Sequence, residues 1–96
     1  MLQANGYIQT TELDTAVCAD GTEDGANIPD GSNMILLQAE DQDIRWRDDG
    51  TDPTATVGNL IAAGAIIEYN AMPLKNLKII AATAGAILNA NFYKER

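Results

Sequence analysis

Apolar and polar residues alternate with a period of two over much of the chain, and Gly, Pro, Asn and Asp interrupt the alternation at short intervals. From Ser32 onward, apolar segments of about five to eight residues are punctuated in this way, the pattern of a β-sandwich or barrel. Met34 to Ala39 reads as a strand, Glu40-Asp41-Gln42 as a polar turn and Asp43 to Asp48 as the next strand, so the two are expected to form an antiparallel hairpin. Within the second strand Ile44 and Trp46 point to one face and Arg45 and Arg47 to the other, because successive strand side chains alternate. Asp48-Asp49-Gly50 supplies a turn, and Asp52-Pro53 begins an irregular connection that runs to Gly58.

Asn59 to Ala63 and Ala65 to Asn70 read as two strands or one bent strand, with Gly64 as a hairpin turn or bulge and with Ile67 and Tyr69 sharing a face. After the break at Ala71-Met72-Pro73, Leu77, Ile79 and Ala81 alternate with Lys78, Ile80 and Ala82. The last strand has the cleanest alternation, with Leu88, Ala90 and Phe92 inward and Asn89 and Asn91 outward. A helix over Leu74 to Ala90 competes on alanine and leucine content, but those asparagines spoil an amphipathic face and suit a half-exposed strand. The first thirty residues are polar, acidic and glycine-containing. They predict an N-terminal arm over residues 1–12, a strand near Thr15 to Ala19, a loop through Asp20 to Ala26 and a turn at Ile28-Pro29-Asp30-Gly31. The expected architecture is all-β: a small antiparallel β-sandwich or jelly-roll-like barrel of about seven to eight strands over residues 13–96, carrying an extended arm.

Composition narrows the function. The chain has 96 residues and only five aromatic ones, so its core is thin and favours help from a partner or from copies of itself. A net charge of −8 argues against nucleic acid and anionic membrane surfaces as partners. The charge is uneven: residues 1–52 hold twelve acids and two arginines, residues 53–96 two acids and four bases. Solvated acidic loops are the favoured explanation, ahead of steering toward a basic partner. The single cysteine, Cys18, forms no internal disulfide and is expected to pack as a small hydrophobe. Apolar runs such as Leu60–Ala63 and Ile79–Ala82 are too short to span a bilayer as helices, and no signal-peptide pattern opens the sequence.

Catalytic chemistry is hard to assemble from these residues. The chain has no histidine, which removes the commonest general base and metal ligand together. Asp48, Asp49 and Asp52 around Gly50, and Asp20, Glu23 and Asp24 around Gly21, resemble acidic calcium loops but keep no EF-hand spacing, and ordinary Asx turns are the favoured reading. Trp46 is expected to anchor the core rather than hold a sugar. Arg45 and Arg47 are expected to pair with Asp43, Asp48 or Glu40 rather than clamp a ligand. No cofactor motif appears, and a non-enzymatic protein without cofactors is expected.

The string Ile44-Arg45-Trp46-Arg47-Asp48-Asp49-Gly50-Thr51-Asp52-Pro53-Thr54-Ala55, followed by Val57-Gly58 and Leu60-Ile61-Ala62-Ala63-Gly64, resembles a group of small tailed-phage virion proteins. The resemblance covers roughly Ser32 to Tyr93, and the Asp-Gly-Thr-x-Pro-Thr turn is its most specific part. It implies a structural component made in the host cytoplasm and carried on the capsid surface, which decorates or cements the shell by binding major capsid subunits, with a homotrimer favoured. It supplies no functional residues. The arm outside it is the expected anchor, with Leu2, Tyr7 and Ile8 as candidate binding residues ordered mainly on assembly. The alternatives are a tail- or fibre-associated module and a free calcium- or carbohydrate-binding domain.

Overall fold

Seven strands occupy two antiparallel sheets in the computed structural model, which describes residues 1–95. They are β1 (Leu2–Thr10), β2 (Met34–Glu40), β3 (Ile44–Arg47), β4 (Asn59–Ile61), β5 (Ile66–Tyr69), β6 (Lys78–Ala81) and β7 (Ile87–Glu95), with one 3-10 turn at Leu74–Asn76. The first sheet has the order β1-β7-β2-β5 and the second β4-β3-β6. The fold is therefore the small all-β sandwich that the alternation predicts, and Leu74 to Ala90 form a 3-10 turn followed by strand β6 and the start of β7 rather than a helix.

The two layers are one sheet folded over. β2 pairs with β5 and β7 in the first layer, and β3, its continuation, pairs with β4 and β6 in the second. Three runs of chain thus cross from layer to layer side by side, as β2–β3, β4–β5 and β6–β7. The N-terminal run follows them: β1 pairs with β7, the Leu13 carbonyl accepts from the Ala81 amide at 2.9 Å, and Val17 bridges to Ile79.

This arrangement overturns the expected hairpin of Met34–Ala39 with Asp43–Asp48. Glu40-Asp41-Gln42 is a corner, not a turn: Asp41 takes φ 71°, and the chain continues into the other layer. The hairpin of this region joins β3 to β4. Gly64 sits at the matching corner of the neighbouring run, where φ is 88° and the Gly64 amide donates to the Ala39 carbonyl at 2.7 Å. It too turns a corner between layers rather than a hairpin. Asp43 ties the corners together, its side chain accepting from the Ala63 amide at 2.8 Å and its carbonyl from the Ala82 amide at 2.9 Å. Small residues, Ala62 to Ala65 and Ala81 to Ala86 with one threonine, let three backbones bend at one level without side-chain collision.

The expected free arm is likewise corrected. Residues 2–10 form the nine-residue edge strand β1, with a bulge between Ala4 and Gly6. An edge strand with one wet face needs few apolar residues, so Gln3, Asn5 and Gln9 imitate a disordered segment. Ile8 packs against the core, and Thr10 is buried. The strand expected near Thr15 to Ala19 shrinks to the Val17 bridge.

Between the layers lie Ile35 and Leu37 of β2, Ile44 of β3, Ile61 of β4, Ile79 of β6, and Leu88 and Phe92 of β7, each at most 1% exposed. Burial of each such side chain is worth roughly 1.5–3 kcal/mol. Leu13, Ala19, Leu74 and Leu77 come from connections and seal the margins of this core. Cys18 is fully buried, its thiol donating to the Lys75 carbonyl at 3.2 Å, and burial pushes the thiol pKa up. It is a packed structural residue, as its apolar neighbours predict.

Candidate interaction site

The segment with the most specific sequence pattern folds as the β3–β4 hairpin, whose eleven-residue loop, 48–58, is braced by side chains from the strands beneath it. Alternation places Arg45 on the outer face of β3, where its Nε donates to the Ala55 carbonyl at 3.2 Å and its terminal nitrogen to the Gly58 carbonyl at 2.8 Å. Arg47, two residues on, grips Asp49 with two parallel bonds of 3.0 and 2.5 Å. That bidentate pair holds the Asp49 carboxyl below the ordinary carboxylate range. The expected partners of these arginines, Asp43, Asp48 and Glu40, are all engaged elsewhere. Glu40 accepts from Asn89 on the other sheet, Asp43 from the Ala63 amide and Asp48 from the Tyr69 hydroxyl, and the loop folds back over Arg45 instead.

From the opposite side the core reaches up to the loop. The Tyr69 hydroxyl donates to the Asp48 carboxylate at 2.9 Å, and burial, reinforced by this bond, pushes its pKa up to about 12. Tyr69 meets Trp46 edge-on, with ring centroids 5.9 Å apart and planes at 72°. Trp46 is thus half-buried and packed against the core. Gly58 closes the hairpin at φ 140°, where a Cβ would stand 3.1 Å from the Trp46 carbonyl and 3.2 Å from the Pro53 side chain. Pro53 is buried, and within the loop the Thr54 and Val57 backbones bond each other in both directions. What remains outward besides the engaged Asp48 and Asp49 is a tip of Gly50, Thr51, Asp52, Thr54, Ala55, Thr56 and Val57, the last 52% exposed.

The acidic clusters singled out in the sequence do not converge on a common point. Asp48 and Asp49 are committed to Tyr69 and Arg47. Asp20 turns inward, 5% exposed, and accepts from the Thr22 amide and hydroxyl and from the Asn27 amide at 2.7–2.9 Å. Among the described residues no three carboxylate or thiol groups are placed to share a metal ion. Asp48, Asp49 and Asp52 instead face Lys75 and Lys78 across an open cleft of about 440 Å³.

The outer face of the four-stranded sheet carries an amide row. Asn89 of β7 accepts from the Tyr7 hydroxyl at 2.5 Å and from the Gln9 amide at 3.0 Å, and donates to Glu40 at 2.7 Å, spanning three strands. Asn89 is buried only because these neighbours cover it, a consequence of register that alternation alone does not reveal. Of the candidate binding residues, Leu2 and Tyr7 lie on this face, 46% and 56% exposed, while Ile8 points into the core. The remaining exposed large apolar side chains, apart from Met1 and Val57, are Leu60, Ile66 and Met72. They lie on or beside β4 and β5, at the opposite margin of the fold. The signal for Ile66 was present in the sequence, since Ile67 and Tyr69 facing inward leave Ile66 and Glu68 outward. Comparisons of the chain with protein-family models, with curated proteins and with solved structures give no match.

Proposed function

We propose that this chain is a non-catalytic structural protein of a tailed-phage particle, which decorates the capsid by docking the tip of its β3–β4 loop onto major capsid subunits. The observation that carries this reading is the bracing of the loop. Arg45, Arg47, Tyr69 and Gly58 all serve to hold an exposed eleven-residue loop in one shape, and they lie in or against the string that resembles phage virion proteins. A loop ordered in advance loses little conformational entropy on docking, so small contacts at Thr54, Thr56 and Val57 suffice when many copies bind one shell. The same bracing engages Asp48 and Asp49, two of the three carboxylates around Gly50.

The test uses particles lacking the protein, to which purified chain is added back. Wild type is expected to sediment with the shell in fixed proportion to the major capsid protein, and the Thr54→Asp/Val57→Asp variant to stay in the supernatant while keeping its circular dichroism. Binding by the loop variant would remove the loop from the interface. Saturation at a few copies per particle would instead favour the tail-associated alternative.

A further inference from the structure

From the free margin of β1 and the acidic recess beside it we infer that this edge takes up an extended segment of a partner protein as an added strand, with a lysine or arginine of that segment seated in the recess. The margins of the two sheets are β1, β5, β4 and β6, and all but β1 are short or covered. β6 is covered by the N-terminal run: Val17 exchanges backbone bonds of 3.0 and 2.7 Å with Ile79, and the Leu13 carbonyl accepts from the Ala81 amide. β4 has three residues, and β5 has four, among them Glu68. β1 has nine residues and carries neither charge nor proline, the features that blunt natural edges. Its bulge, between Ala4 and Gly6, lies toward one end. Beyond it the pairing with β7 is unbroken, from Gly6 opposite Phe92 to Thr10 opposite Leu88. Among the described residues only β7 hydrogen-bonds to the backbone of residues 6–10, whose other amides and carbonyls are open to a further strand.

The edge is also held in shape. A Cβ on Gly6 would stand 2.9 Å from the Pro29 side chain, and one on Gly21 would stand 2.8 Å from the Thr10 hydroxyl, so both segments lie tight against the strand. A strand fixed in advance loses little entropy when another pairs with it. Its backbone bonds give affinity, and the side chains around the edge choose the partner. Tyr7, 56% exposed on the outer face, would flank an apolar side chain of the added strand.

The charge of that partner follows from the end of β1. There the N-terminal run bends toward the second layer around a recess of about 400 Å³, whose lining includes Gln9, Thr10, Glu12, Asp14, Asp20 and Gly21. Glu12 and Asp14 are exposed, and among the described residues neither has a cationic partner, the ion pairs being Met1 with Glu95 and Arg47 with Asp49. No described lysine or arginine lines the recess. Three carboxylates without a base favour a cationic side chain there. A second copy of this chain fits poorly, because its own β1 brings no base and its surface shares the net charge of −8. This inference stands apart from shell binding, because it uses no residue of the β3–β4 loop and either can fail alone.

Amide exchange, read residue by residue in the presence of synthetic peptides, tests it. The probe is a peptide as long as β1, alternating valine and threonine, with a lysine at each end and the amides of one edge N-methylated so that it cannot stack on itself. Its counterpart carries glutamates in place of the lysines. At millimolar concentration the lysine peptide is expected to slow the solvent-facing amides of residues 6–10 about tenfold, and the glutamate peptide to leave them unchanged. The Glu12→Gln/Asp14→Asn variant, altered only at exposed positions, should keep its circular dichroism and bind the lysine peptide about three- to tenfold more weakly. No protection of these amides by the lysine peptide overturns the inference. Equal protection by both peptides, or undiminished binding by the double variant, overturns the assignment of a basic partner. Slower exchange in β1 as the protein's own concentration rises, with no peptide present, would give the edge to a second copy and overturn the inference as well.

Discussion

Tyr69 closes the core from below and holds the loop from above, its ring edge-on to Trp46 and its hydroxyl 2.9 Å from the Asp48 carboxylate. One side chain thus couples the packing of the two layers to the shape of an exposed loop. Replacing it with phenylalanine keeps the packing and removes the coupling. Tyr69→Phe is expected to lower stability by about 1 kcal/mol and to speed amide exchange in loop 48–58 with little change elsewhere.

The same pair sets a pH dependence. The folded-state pKa of Tyr69 is raised from 10.0 to about 12, so folding favours the neutral phenol. Its contribution is complete below pH 10, where the hydroxyl is protonated folded and unfolded, and is lost as pH rises through 12. Urea midpoints of wild type should fall more steeply than those of Tyr69→Phe between these limits. Equal slopes would mean that the hydroxyl is not protected.

Arg45 binds two loop carbonyls through different nitrogens, a geometry that a single ammonium cannot reproduce. Arg45→Lys keeps the charge and should still loosen the loop, at a cost of about 1 kcal/mol, with faster exchange at Thr56 and Val57. A lysine variant indistinguishable from wild type in both respects would show that charge alone is what matters there.

Asn89→Asp exchanges an amide donor for a carboxylate opposite Glu40, 2.7 Å away in the native pair. The two acids repel, so the variant should be less stable by about 1–3 kcal/mol at neutral pH. Stability should recover as pH falls below about 4, where carboxyls protonate. Thermal melts at the two pH values check this, and a deficit independent of pH would point to packing instead.

Asp20 organises residues 20–27 by accepting two backbone amides and a hydroxyl while buried. Asp20→Ala leaves those amides without their acceptor and should cost about 2–3 kcal/mol, seen as a lower urea midpoint. Asp20→Asn retains one acceptor oxygen and should recover part of the loss.

Period-two alternation by itself determined that the chain is all-β, that Ile44, Ile79, Leu88 and Phe92 are core, and that Arg45 and Arg47 lie outward. The facing of a strand side chain is a local property, fixed by the pleat and by which face is dry. Which strand neighbours which is not local. Glu40-Asp41-Gln42 has the composition of a hairpin turn and serves as a corner, because three runs bend together there and Asp43 bonds backbone from both neighbours. Residues 1–12 have the composition of an arm, yet β7 offers an open edge along which residues 2–10 pair. The partners of Arg45 and Asn89 were likewise decided by register and loop closure across the fold. Composition gives side chains their chemistry, and only the tertiary structure chooses the neighbours on which that chemistry acts.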